Sequence, residues 1–395
     1  MIINSLLDND LYKFTMMQAA FHNFPGAIAD YEFVLRSKGV DLRPYRRDIE
    51  LEIDHLCSLK FVAEDLDYLS TLLFIKGSFL NFLEDFRLKR RDVLVYEKEG
   101  ALRIRISGSW VHTILYEVPL MAIISETYLK DKGSKTEAFA KGLAKIKENV
   151  ALIKKSDSSY TSGKSYFKFA DFGTRRRYSQ EWHDKVVETY KELVPKNIVG
   201  TSNIYLARKH DLSPIGTMAH EWLQAGQGIG SVPLAKSQQF MLETWVKEYR
   251  GDLGIALSDT INMSAFLKDF DSYFSKLYDG VRHDSADPYV WGDRMIAHYK
   301  KLKINPKTKS LVFSDGLNFA KALEISKYFF GKANISFGIG TKCSNDVGID
   351  ALSMVIKMIF INNNPVAKIS DEPAKAICKD PEFLSYLKKV YFVKV

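Results

Sequence analysis

Between residues 166 and 341 the chain repeats one pattern seven times: a short apolar run, a polar or glycine-containing tip, then usually a helical stretch. The first runs are 166–173 with Arg175 beyond it, 197–201 with Ser202, and 214–217, which holds Thr217 and is followed by His220. The next are 254–257 with Ser258-Asp259-Thr260, and 277–281 with Arg282 and Asp284. The last are 311–313 with Ser314-Asp315-Gly316, and 335–337 with Gly338-Ile339-Gly340-Thr341. Alternating βα units call for parallel strands, and seven in succession favour a barrel over an open sheet. A regular barrel has eight, so the expected fold is α/β with an irregular (β/α) barrel. Its tips converge on one face, where barrel enzymes keep their active sites.

The first third reads differently. A helix is expected over 8–22, ended by Phe24-Pro25-Gly26, then a strand over 29–36. Helical pieces follow over 49–83, broken near Lys60 and Gly77, and a hairpin pairs 93–96 with 102–106. An apolar helix over 111–129 carries Pro119 as a kink, and a Lys-rich helix covers 136–155. These make an N-terminal α+β domain, 1–155. The barrel domain is expected over 156–350, opening on a polar linker at 156–164. A C-terminal segment, 351–395, begins as an apolar helix over 351–360 and either returns to the first domain or covers the barrel.

Composition excludes several classes. The N-terminus carries no basic segment followed by an apolar one, as a signal peptide would, and no run of about eighteen apolar residues spans a membrane. Three scattered cysteines, Cys57, Cys343 and Cys378, suit free thiols in a cytoplasmic protein. The net charge is +8, but the basic residues lie among acids along the chain, and no nucleic-acid recognition motif is present. Scattered positive charge of this kind fits an enzyme that draws in small polyanions.

The stretch Pro214 to Gly230 is the chemical centre of the pattern. His220 stands where a strand should end, bracketed by glycines, and a neutral imidazole there is a nucleophile near pH 7. The plain alternative is a hydrogen-bonded structural histidine. His220-Glu221 is not a zinc motif, because Gln224 occupies the second histidine's place, and Gly226, Gly228 and Gly230 miss the dinucleotide spacing. Ser162-Gly163-Lys164-Ser165 resembles the end of a P-loop, but Ser158 replaces its first glycine and a helix precedes it. Arg175 and Arg282 at two tips call for a ligand with two anionic groups, unless each pairs with a neighbouring acid. Gly338-Ile339-Gly340-Thr341 resembles a backbone phosphate cradle. Asp284, Asp287 and Asp315 are candidates for Mg²⁺ or ribose hydroxyls, and Phe172 for stacking on a flat ring. Together they describe a flat aromatic acid, a phosphorylated sugar, Mg²⁺ and a nucleophilic histidine.

Ordered motifs then give a resemblance over nearly the whole chain. Asp10-Leu11-Tyr12-Lys13, Asp171-Phe172-Gly173-Thr174-Arg175-Arg176, Gly200-Thr201-Ser202-Asn203 and Ile215-Gly216-Thr217-Met218-Ala219-His220-Glu221 resemble signatures of nicotinate phosphoribosyltransferases. So do Gly280-Val281-Arg282-His283-Asp284-Ser285, Phe313-Ser314-Asp315-Gly316, Phe337-Gly338-Ile339-Gly340-Thr341 and Pro365-Val366-Ala367-Lys368-Ile369-Ser370. The match is greatest to the bacterial and fungal branch.

The resemblance implies an irregular barrel of the type II phosphoribosyltransferase kind. It implies transfer of phosphoribose from phosphoribosyl pyrophosphate to nicotinate, giving nicotinate mononucleotide and pyrophosphate for NAD salvage, with ATP as co-substrate and Mg²⁺ as cofactor. It implies that His220 carries a phosphoryl group and that Tyr12 and Phe172 sandwich the pyridine ring. Thr217 and Arg282 would hold nicotinate, and Gly340, Thr341 and Arg175 would hold phosphates. Asp284, Asp315 and Gly316 fall in the phosphoribosyl pyrophosphate site. With no P-loop, the ATP site would overlap that one. A homodimer is implied, with Tyr12 in reach of a neighbour's barrel.

Two departures bear on this. Ala286 stands where the family has a glycine, and Ser202 stands where amide-using relatives carry an acid. Ser202 favours a carboxylate substrate over an amide. The alternatives are an uncoupled phosphoribosyltransferase using nicotinamide or quinolinate, and a non-catalytic nucleotide- or RNA-binding protein.

Overall fold

The computed structural model describes residues 1–158, 167–372, 376 and 378–393. Residues 159–164 of the expected linker, with the P-loop-like serine-glycine-lysine, lie outside the described residues.

The N-terminal region is built on an antiparallel sheet. It contains β1 (Ile28–Leu35), β2 (Val93–Lys98) and β3 (Ala101–Ser109). The β2–β3 turn places Glu99 and Gly100 at φ 53° and 70°, the left-handed pair that a tight hairpin requires. In front of the sheet runs the helix Leu11–Asn23, buried on every side from Leu11 to Ala20. The expected kink at Pro119 falls earlier: a 3₁₀ turn, Ile114–Tyr116, separates Trp110–Thr113 from Glu117–Leu129. Pro119 then lies in the first turn of the latter helix, where its missing N–H costs nothing.

The second region holds β4 (Phe169–Asp171), β5 (Ile198–Thr201), β6 (Arg250–Leu253), β7 (Ile255–Leu257), β8 (Gly280–His283), β9 (Ser310–Phe313) and β10 (Asn334–Ile339). Six of these form a parallel sheet in the order β5-β4-β10-β9-β8-β7. The expected third run, 214–217, completes the curve without becoming a full strand. Pro214 bridges to Thr201 beside β5, and Thr217 Oγ1 donates to the Ile255 carbonyl of β7 at 2.9 Å. The barrel is irregular because one stave is a single bridge and a side-chain bond. Helices Gln180–Leu193, Pro288–Lys301 and Phe319–Phe329 cover it, each capped by a side chain: Ser179, Asp287 and Asn318. Phe313, Phe337 and Phe167 stack through its interior.

Two expectations need correction. The run expected over 277–281 begins later: Leu277 ends the helix Ser272–Leu277 and the strand is Gly280–His283, so Arg282 lies on β8 itself, not beyond its end. The tail does not open as a helix over 351–360. It forms β11 (Met354–Ile361), which turns into β12 (Asn364–Pro365) and joins the first sheet in the order β12-β11-β1-β3-β2. Both faces of β11 are largely buried, so its sequence lacks the alternation that marks a half-exposed strand. Val355, Ile356, Ile359 and Ile361, branched at Cβ, were the signal against a helix. β11 carries one face of the N-terminal sheet to the mouth of the barrel. Among the described residues no helix is long and apolar enough to cross a membrane.

Candidate active site

The C-terminal ends of the barrel strands, the start of the helix Leu11–Asn23 and the face of β11 enclose two adjoining chambers. The inner one is lined by Tyr12, Phe172, Arg175, Ser202, His220, Arg282, Asp284 and Gly340. The outer one shares Phe172, Arg175, His220, Asp284 and Gly340, and adds Asp315, Gly316 and Thr341. Thr217 lines neither, because its hydroxyl is spent on closing the barrel. Asp287 lines neither chamber: its carboxylate caps the helix Pro288–Lys301, while the remaining expected site residues meet here within one chain.

Glycines set the inner walls. A Cβ at Gly338 would stand 2.3 Å from the Phe172 ring, and one at Gly216 would stand 2.9 Å from the Tyr12 backbone nitrogen. Their absence lets Phe172 lie against β10 and lets the helix carrying Tyr12 approach the barrel. The Tyr12 hydroxyl and the Arg282 Nε are both buried without a hydrogen-bond partner, an unusual state for such groups and one that a ligand would relieve. Ser202 Oγ donates to Asp10 Oδ1 at 2.8 Å, so an acid does stand at this wall, paired with the serine. Burial raises the Asp10 pKa, partly offset by Thr174 and Arg175.

His220 is the first residue of the helix His220–Ile229 and sits where the chambers meet. Its Nε2 is 2.7 Å from Asp259 Oδ1 and 3.7 Å from Asp284 Oδ2. Asp259 is in turn held by Lys368 at 2.9 Å and by Ser285 at 2.7 Å. Burial, and then the Lys368 charge, lower the His220 pKa to about 4 against the pull of Asp259. The ring is therefore neutral near pH 7. Asp259, already paired with Lys368, accepts the Nε2 proton and leaves the lone pair on Nδ1.

His220, Asp259 and Asp284 bring potential metal-binding atoms within 4.8 Å of one another. Asp259 is saturated by its partners, so Asp284 is the freer carboxylate; its Oδ1 accepts from Ser314 Oγ at 3.0 Å. Arg282 and His220 hold the Asp284 pKa below the usual carboxylate value despite burial. A hard cation that keeps several waters and bridges to phosphate fits Asp284, with Asp315 across the outer chamber.

Sequence reasoning missed several participants. Arg36, Arg176, Lys342, Lys357 and Lys368 add positive charge around the outer chamber. Lys368 lay inside a quoted motif, but Lys357 lay in the segment read as helix. Burial lowers the half-buried Lys357 pKa to about 8, against the attraction of Glu117. Asp259 stood at a recognised tip without a role. Ala286 takes φ +70°, keeping a glycine-like backbone at a cost of roughly 1 kcal/mol, and its N–H donates to Glu372 Oε1 at 2.7 Å.

Comparison with known proteins follows this geometry. Residues 167–394 match the model of the nicotinate phosphoribosyltransferase family, and residues 7–125 match the N-terminal domain of that family. Among curated relatives, the nicotinate phosphoribosyltransferase of Bordetella pertussis is 47% identical over 99% of this chain and 95% of its own length. That of Cupriavidus necator is 48% identical over 100% of this chain and 99% of its own. The crystal structure of the Vibrio cholerae nicotinate phosphoribosyltransferase superposes with a TM-score of 0.95 at 41% identity, covering 100% of this chain and 95% of that one. The Porphyromonas gingivalis structure of the same description gives 0.92 at 30%, covering 99% and 100%. With a barrel-mouth site of this composition and matches spanning nearly its full length, the chain belongs to the nicotinate phosphoribosyltransferase family of enzymes.

Proposed function

We propose that this protein transfers phosphoribose from phosphoribosyl pyrophosphate to nicotinate and couples the transfer to ATP through a phosphoryl group on His220. The observation that carries the reading is a neutral histidine, oriented by Asp259, in the wall between an aromatic chamber and a cationic one.

The pyridine ring lies in the inner chamber against Tyr12 and Phe172, its carboxylate meeting the unpartnered edge of Arg282. The phosphates lie in the outer chamber against Gly340-Thr341, Arg175 and the lysines. The ring nitrogen attacks the anomeric carbon as the bond to pyrophosphate breaks, through a transition state of oxocarbenium character. Fixing both partners in line, and neutralising the leaving pyrophosphate, lowers its barrier. Mg²⁺ bound at Asp284 and Asp315 would add to that neutralisation.

In the coupled step His220 Nδ1 attacks the γ-phosphorus of ATP, an N–P bond forms, and the bond to the bridging oxygen breaks to release ADP. Asp259 offsets the positive charge that the ring gains. Water later cleaves the N–P bond, giving phosphate and the neutral imidazole. Because both ATP and phosphoribosyl pyrophosphate need the outer chamber, they occupy it in turn.

The test is pyrophosphate release with nicotinate, nicotinamide or quinolinate, each with and without ATP. Nicotinate alone is expected to turn over well, faster with ATP; comparable turnover of nicotinamide would overturn the substrate assignment.

A further inference from the structure

Along the wall of the inner chamber lies a buried charge network of which the chemistry above uses Arg175 alone. Lys13, next to Tyr12 and fully enclosed, pairs with Glu117 Oε2 at 2.6 Å and with Glu221. Glu221 follows His220 in the first turn of its helix and also accepts from Trp110 Nε1 at 2.8 Å and from the Tyr31 hydroxyl at 2.5 Å. Glu117 accepts in addition from Arg175 Nη1 at 3.3 Å. The line Glu221–Lys13–Glu117–Arg175 therefore runs from the residue beside His220, past Tyr12, to a guanidinium that lines both chambers.

We infer that this line is a positioning relay by which phosphorylation of His220 changes the grip of Arg175 and Tyr12 on phosphoribosyl pyrophosphate and nicotinate. The inference rests on the phosphohistidine reading above. Two cations balance two carboxylates, and Lys13 is shared between them. A phosphoryl group brings ~1.5–2 negative charges to His220, one residue before Glu221 on the same helix. That unbalances the sharing of Lys13, and the hold of Glu117 on Arg175 changes with it. The carrier of the coupling is the Lys13 ammonium, held here between both carboxylates and able to move toward either. A purely structural network would stabilise the fold and leave the energetic link between ATP and substrate affinity intact.

The test uses Glu221→Gln in the full-length protein, which keeps the shape and the acceptor oxygen but removes the charge opposite Lys13. Wild type and variant are compared for label taken from γ-labelled ATP, for KM of phosphoribosyl pyrophosphate with and without ATP, and for ATP consumed per nicotinate mononucleotide formed. The relay predicts label within about twofold of wild type, an ATP-induced fall in KM reduced about tenfold, and a higher ATP consumption ratio. An unchanged ATP effect on KM in the variant would overturn it. If Glu221→Gln fails to fold, Tyr31→Phe, which withdraws one donor from the same carboxylate, gives the same readout. Absence of label on the wild type would instead remove the phosphohistidine reading, and the relay with it.

Discussion

The two chambers meet at His220 and are built on opposite principles. The inner one is backed by groups already satisfied: Lys13 by two carboxylates, Ser202 by Asp10, Thr217 by a strand carbonyl. The outer one is lined by cations on several different elements, from Arg36 after β1 to Lys368 after β12. A wall of already paired groups recognises mainly shape, apart from the open Tyr12 hydroxyl and Arg282 Nε. A cationic wall recognises charge and tolerates a succession of polyphosphates. A flat ring and two different phosphate donors need one chamber of each kind.

The largest expected effect separates the two walls by stability. Lys13→Met leaves Glu117 and Glu221 buried without their shared cation and should cost about 3–5 kcal/mol in urea unfolding. Lys357→Met, at a cation that lines both chambers and has no buried carboxylate to itself, should shift the same midpoint little. Equal losses in both variants would erase the contrast.

Next comes Ser202→Asp, which sets a second carboxylate against Asp10. Nicotinate kcat/KM should fall roughly 10- to 150-fold, about 1.4–3 kcal/mol, with a smaller loss for nicotinamide. Unchanged nicotinate kinetics would show that this wall does not sense the carboxylate.

Titration sharpens the outer chamber. Lys357 is charged below pH 8 and neutral above it, because its pKa is lowered to about 8 by burial. KM for phosphoribosyl pyrophosphate should therefore rise roughly tenfold between about pH 7 and about pH 9.5. In Lys357→Arg that rise should disappear, since a guanidinium keeps its charge throughout. The smallest effect belongs to Ala286→Gly, which should relieve the left-handed strain and raise stability by about 0.5 kcal/mol after the unfolded-state entropy of glycine is counted.

What the sequence could disclose divides along physical lines. The strand tips were legible because a buried parallel strand is a short apolar run, and Arg175, Ser202, His220, Asp284 and Thr341 each interrupt one. The segment 354–361 was not, because a strand buried on both faces has no period to read, and Lys357 was lost with it. The relay was invisible for another reason. Lys13 and Glu221 lie 208 residues apart in the chain, with Glu117 midway, and pairing at that distance leaves no spacing in a single sequence. Thr217 stood in the right motif, and its hydroxyl turned out to serve as the last fastening of the barrel.

The most direct measurement is incubation with γ-labelled ATP of the wild type and His220→Ala, with acid and alkali treatment of the recovered protein. Label on the wild type alone, lost in acid and stable in alkali, is the expected result and would place the phosphoryl group on His220. Nicotinate conversion without label on either protein would contradict it and leave an uncoupled transferase whose histidine only braces Asp259.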